Sequence, residues 1–192
     1  IDGKIANIGD ATVMKPAKHD IMIDASGKHV YPGFIAPNST LGLVEIDAVR
    51  ASDDESEIGE FNPHVRSIIA YNAESKLVET TRPNGVLLAQ ITPRGGRIPG
   101  TSSIVQLDAW NWEDAAYAKD NAMHINMPSL FNRPNPYAAL MGISAPAGDP
   151  VKRGLDELEK IKTFFREAKV YLAQSNHNQT NLKFEAVKGL FD

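Results

Sequence analysis

Cysteine is absent from all 192 residues. Disulfides, thiolate metal ligands and cysteine nucleophiles are therefore excluded together. The compartment stays open, since cytoplasmic and periplasmic proteins alike can lack the residue. No apolar run approaches the ~20 residues needed to cross a bilayer, so a soluble chain is expected. Lys and Arg form no cluster of the kind that marks a nucleic-acid footprint. Acidic residues number 24 against 20 basic, a net charge of −4. That balance favours solubility and carries no fold information. The five histidines, at 19, 29, 64, 124 and 177, include no H-x-H or H-E-x-x-H spacing. No internal repeat and no signal peptide are visible.

What is present suits a globular protein of one domain or slightly more. Apolar residues make up 42% of the chain, enough for a core. The first 35 residues read as short strands with turns between them. Asp2-Gly3 is a hairpin signal. Lys4 to Ile8 alternates, Ile21 to Asp24 forms a second run, and His29 to Ile35 a third. The pattern from Asn62-Pro63 through Val65, Ile68, Ile69, Leu77 and Val78 predicts a helix ended by Pro83-Asn84-Gly85. Val86 to Ile91 is apolar apart from Gln90 and predicts a parallel strand covered on both faces. The stretch 93–103 reads as a loop. Ile104 to Leu107 reads as a strand, Trp110 to Ala115 as a helical turn, and Met123 to Met127 as a further strand. Residues 128–150 hold five of the twelve prolines and read as an irregular insertion. The clearest helix runs from about Pro150 to Gln174, with Leu155, Leu158, Ile161, Phe165, Ala168 and Leu172 on one face. Leu182 to Phe191 predicts one more short helix. Strand and helix alternation after residue 30 favours an α/β fold.

The segment Val30-Tyr-Pro-Gly-Phe-Ile-Ala-Pro-Asn-Ser-Thr40 resembles the first barrel strand of the metal-dependent amidohydrolases, usually worded Pro-Gly-x-Ile-Asp-x-His-x-His. Pro32, Gly33 and Ile35 match; Ala36, Asn38 and Thr40 stand at the Asp and two His positions. Asp2-Gly3-Lys4-Ile5-x-x-Ile8-Gly9 and Asp24-x-x-Gly27-x-x-Val30-x-Pro32-Gly33-x-Ile35 resemble that family's N-terminal hairpin and its lead-in to the barrel. The imidazolonepropionase-related branch is the most similar in wording. The resemblance implies a partial TIM-type (β/α) barrel, residues 31–192, joined to a small β-sandwich portion, residues 1–30. A whole TIM barrel needs ~250 residues, so residues 31–192 are expected to be the N-terminal part of an incomplete one. The chain opens on Ile1 rather than Met, which fits a trimmed piece of a longer protein.

By the same resemblance, the full protein would hydrolyse a non-peptide C–N bond of a small-molecule substrate, of the cyclic amide class, with a divalent metal such as zinc. The usual His-x-His ligands are absent, and zinc prefers imidazole, thiolate and carboxylate donors. Asn38 and Thr40 thus mark altered chemistry, a lost site or a wrong alignment of the motif. No metal ligand is assigned. Arg94 and Arg97 bracket Gly95-Gly96 after a strand whose C-terminal end should face the site. Such a loop can clamp a carboxylate or phosphate, or it is a turn with solvated arginines. His124 is the best single histidine, as a ligand, an acid–base group or a hydrogen-bonded structural residue. Glu45 is a weaker candidate near a strand end. The acidic run 53–60 lacks EF-hand spacing and reads as a solvated face. Trp110 and Trp112 read as core or interface anchors. The stretch alone is expected to be inactive, and to form a homo-oligomer or associate with the missing C-terminal half. A non-catalytic binding or assembly protein on the same scaffold is the alternative.

Overall fold

The computed structural model describes residues 4–10, 12–13, 21–132, 148–174 and 179–191. The chain divides into two compact units, Ile1–Pro32 and Gly33–Asp192. In the first unit no strand forms among the described residues. The alternation at Lys4 to Ile8 and the run Ile21 to Asp24 predict strands, yet both are irregular and exposed. A strand needs a paired neighbour to persist, and neither run has one among the described residues. Local turns organise the unit instead. Asp10 accepts bonds from Thr12 at N and Oγ1, 2.8 and 2.7 Å, and Asp24 holds Ser26 the same way. The Asp2-Gly3 signal lies outside the described residues, as do His19, His177 and residues 133–147 of the proline-rich stretch.

The second unit is mixed α/β. Among the described residues its sheet has four strands in the order β1-β2-β3-β4: β1 Phe34–Ser39, β2 Val86–Ile91, β3 Gly100–Gln106 and β4 Ala116–His124. β2 lies parallel to β1 and antiparallel to β3, and β3 is antiparallel to β4. β2 has the expected bounds, but its cover is uneven: Ala89 and Ile91 are buried, while Leu87, earlier on the same face, is 51% exposed and the opposite face is half-buried. β3 begins four residues earlier than expected. Its Thr101-Ser102-Ser103 start reads as loop from composition, yet Ser102 and Ser103 are fully buried. Their hydroxyls are hydrogen-bonded, which is the condition for burying polar groups in a sheet. β4 overlaps the expected strand only at Met123 and His124.

The predicted helix through 62–78 does not form as one element. A 3₁₀ turn covers Ser67–Ala70, and helix α1 occupies only Lys76–Thr81. Tertiary backbone pairing overrides the local pattern. Phe61 bridges Ile98 and Arg66 bridges Thr101, and Asn72 N donates to Gly42 O at 2.8 Å. Ser75 caps α1, its hydroxyl accepting from Leu77 N at 3.2 Å. A single helical turn, α2 Trp112–Ala115, precedes β4 and is capped by Asn111.

The main core joins Leu43, Val44, Ile68, Tyr71 and Val78 to Ala89, Ile91, Val105, Leu107 and Ala115. Ile68, Ile91, Val78 and Val105 are almost wholly buried, each worth about 1.5–3 kcal/mol of transfer free energy. Helix α3, Pro150–Leu172, follows an Asp149 cap whose side chain accepts from Val151 N at 2.9 Å. Its buried stripe is Gly154, Ile161, Phe164 and Ala168. That stripe is turned from the expected face: Leu155 is 51% exposed, and Phe164 stacks on Phe61 with centroids 5.2 Å apart. Ile98 and Val187 complete this second cluster, with Phe184 at its margin. The expected last helix is shorter, α4 Leu182–Glu185 followed by a 3₁₀ turn at Lys188–Leu190. No helix among the described residues is long and apolar enough to cross a membrane.

Candidate functional site

Strand directions bring the C-terminal ends of β1, β2 and β4 and the start of β3 to one edge of the sheet. Carboxyl ends of strands are where ligands bind in open α/β sheets. β1 reaches that edge through a bulge, with its register breaking between Ala36 and Ser39. Within it Asn38 takes a left-handed conformation, φ 51°. Asn tolerates this region better than most residues, and bulges commonly re-aim a side chain.

Asn38 is held by Arg94. The guanidinium donates from Nη1 to Asn38 Oδ1 and from Nη2 to Asn38 O, both at 2.7 Å. Asn38 N in turn donates to Gln90 Oε1 at 3.3 Å. Gln90 Nε2 donates to Ser102 Oγ at 3.2 Å, and Ser102 Oγ lies 2.8 Å from His124 Nε2. Asn121 Oδ1 and Ala122 O are also within reach of that hydroxyl, at 3.1 and 3.3 Å. A serine has one proton to give, so these acceptors and the imidazole compete for it. Burial, and then the positive charge of Arg94, hold the His124 pKa below its ordinary value. His124 is therefore neutral near pH 7.

Three of the five residues expected from sequence, Asn38, Arg94 and His124, thus belong to one network. Arg97 does not: its Nε donates to Glu157 Oε2 at 3.2 Å, tying the loop to α3. Lys160 and Arg97 together keep the Glu157 carboxyl below its ordinary pKa, with the Lys160 hydrogen bond the larger cause. Thr40 lies beyond β1, and its carbonyl closes a turn by accepting from Leu43 N at 2.9 Å. The Gly95 and Gly96 carbonyls both accept from Asn126 Nδ2 at 3.0 Å. Glu45 supports α1, accepting from Asn72 Nδ2 and from the capping Ser75 hydroxyl. Trp110 is 88% exposed, whereas Trp112 packs against the main core and carries Lys119 over its ring at 5.4 Å.

Gln90 and Ser102 escape the sequence reading as functional residues. Gln90 does leave a signal, as the lone polar side chain in an apolar strand. Ser102 leaves none, because a Gly-Thr-Ser-Ser run reads as loop.

The residues at this edge do not fit a zinc ion. The Asn38 amide oxygen already faces a guanidinium, which would repel a cation, and no group of three His, Cys, Asp or Glu side chains gathers among the described residues. A separate cleft of about 450 Å³ is lined by Asp54, Glu55, Glu57, His64 and Arg66, among others. None of the five candidate residues borders it. The polar network lies at the strand ends, apart from this cleft.

No protein-family model matches the chain, and no curated protein sequence matches it. Among solved structures, the chain is similar to an amidohydrolase from Thermotoga maritima MSB8, with a TM-score of 0.69 and 19% sequence identity. The match covers 97% of this chain and 48% of that one, so the chain spans about half the length of the protein it matches. At this identity the likeness is one of fold alone: the chain folds as about half of that protein does.

Proposed function

We propose that this chain is the N-terminal part of an amidohydrolase-like protein whose small-molecule substrate meets the C-terminal strand edge. The observation that supports this is the likeness over 97% of the chain to a solved amidohydrolase. On this reading the sheet is part of a (β/α)₈ barrel, and residues 1–30 are part of a small β-sandwich. The imidazolonepropionase-related wording of Val30 to Thr40 suggests hydrolysis of a non-peptide C–N bond, of the cyclic amide class. A metal would supply an activated water in such a reaction; Asn38, Arg94 and His124 do not fit one, so on this reading its ligands come from strands of the full-length protein outside residues 1–192. The isolated stretch is therefore expected to be inactive and to associate with a copy of itself or with the rest of the protein. A second reading, a binding protein on the same scaffold, draws on the Arg94–Asn38 tie, which puts a cation where a metal site would need donors.

The experiment is metal analysis of the full-length protein with a hydrolysis screen on cyclic amides, run beside residues 1–192 alone and with light scattering on both. Bound metal with turnover in the full-length protein only, and an associating short form, are the expected results. No metal and no turnover in the full-length protein would leave the binding reading. Metal-dependent hydrolysis by residues 1–192 would overturn the expected inactivity, and a clean monomer would overturn the association.

A further inference from the structure

Arg94 is the cation of the strand-end edge. The two hydrogen bonds of its guanidinium among the described residues both go to Asn38, a neutral partner. The ion pairs of the described residues occupy Arg66, Arg82, Arg97 and Arg166 and leave Arg94 aside. Arg94 is half-buried as a residue, no hydrogen bond from its Nε–H is found among the described residues, and Asn38 fixes the guanidinium's orientation from two points. A planar cation held in this way is preorganised for a planar anion.

We propose that Arg94, braced by Asn38 and bordered by His124, forms a binding site for a small carboxylate. The inference shares with the proposed function only its place at the strand ends and stands whether or not any hydrolysis occurs. A carboxylate suits the site better than a phosphate. One guanidinium carries one charge, and the nearest arginine in sequence, Arg97, is already committed to Glu157. A phosphate dianion would lack its second cation.

Binding also has a protonic consequence. Arg94 charge acts on the His124 ring, together with burial. Of the other charged groups on the surrounding elements, Asp120 on β4 is paired with Arg66, and Glu157 on α3 with Arg97 and Lys160; Lys119 on β4 lies over the Trp112 ring, and Glu55, whose carbonyl accepts from Arg94 N, has no ion pair among the described residues. A bound carboxylate neutralises Arg94 and so removes one of the two influences that keep the imidazole uncharged. His124 should then titrate at higher pH, and carboxylate binding near its midpoint should take up protons. Ser102, in contact with Nε2, holds the ring while this happens.

The test is an NMR titration of the His124 ring nitrogens against pH in residues 1–192. It is run without ligand and with sodium propionate, propionamide or sodium phosphate at constant ionic strength. Propionate should shift the His124 midpoint to higher pH in a saturable way, and propionamide should leave it unchanged. An unmoved midpoint in propionate, or an equal response to propionamide, would overturn the site. Phosphate binding as tight as propionate would overturn the carboxylate class. In Arg94→Gln the ligand-free midpoint should rise and propionate binding should weaken roughly tenfold or more; an unchanged response would remove Arg94 from the site. The wild-type titration decides the matter even if that variant does not fold.

Discussion

Tyr71 keeps its hydroxyl inside the main core with no hydrogen-bond partner among the described residues. The residue is 5% exposed, and burial pushes its phenol up to about 12. An unpaired buried hydroxyl costs about 1–3 kcal/mol, so Tyr71→Phe should be neutral or stabilising, by about 1 kcal/mol, in urea unfolding at pH 7. Above pH 10 the unfolded chain loses the phenolic proton while the folded chain retains it. Stability should then fall by about 2–3 kcal/mol as pH rises from 10 to 12, a loss that Tyr71→Phe lacks. Parallel alkaline slopes for the two proteins would refute this. At this scale the sequence exposes chemistry better than connection. Asn38, Arg94 and His124 stand out by residue type and by their positions at strand ends. Nothing in the sequence shows that Gln90 and Ser102 bridge them, because β2 and β3 must first be in register.

At the scale of elements, β3 owes its start to Gly100. Its φ is +135°, and a Cβ there would stand 2.4 Å from Val65 O. That carbonyl cannot easily retreat, because Thr101 N donates to it at 2.9 Å. Gly100→Ala should therefore cost roughly 2–4 kcal/mol through strain and a broken loop contact. Its melting temperature should fall by several degrees, about 2–4 °C per kcal/mol at this chain length. An unchanged melting temperature would show that the 61–66 segment yields freely. The same pairing explains which elements are legible. Helix α3 and strand β2 are legible because their signals are long and internally consistent. The helix expected across 62–78 is not, because Phe61 and Arg66 pair with distant backbone at Ile98 and Thr101, which no local pattern reports.

Across the whole molecule, the α/β class was readable from the alternation of strand and helix signals after residue 30. The mixed strand directions were not readable, since an apolar strand looks alike in parallel and antiparallel company. Strand order has a further consequence, in time rather than in space. β2, β3 and β4 follow one another in sequence and are neighbours in the sheet, whereas β1 meets β2 across residues 40–85. Closing the longer loop costs entropy before the parallel pairing returns any gain. The β2–β3–β4 meander should therefore assemble first, with β1 docking late. In stopped-flow kinetics Val105→Ala on β3 should slow refolding, and Ala36→Gly on β1 should mainly speed unfolding; the reverse pattern would contradict this sequence of events. A chain released in order from its N-terminus would thus hold Asn38 out of place until Arg94 and its strand had formed, so the strand-end network is the last part of the sheet to become competent.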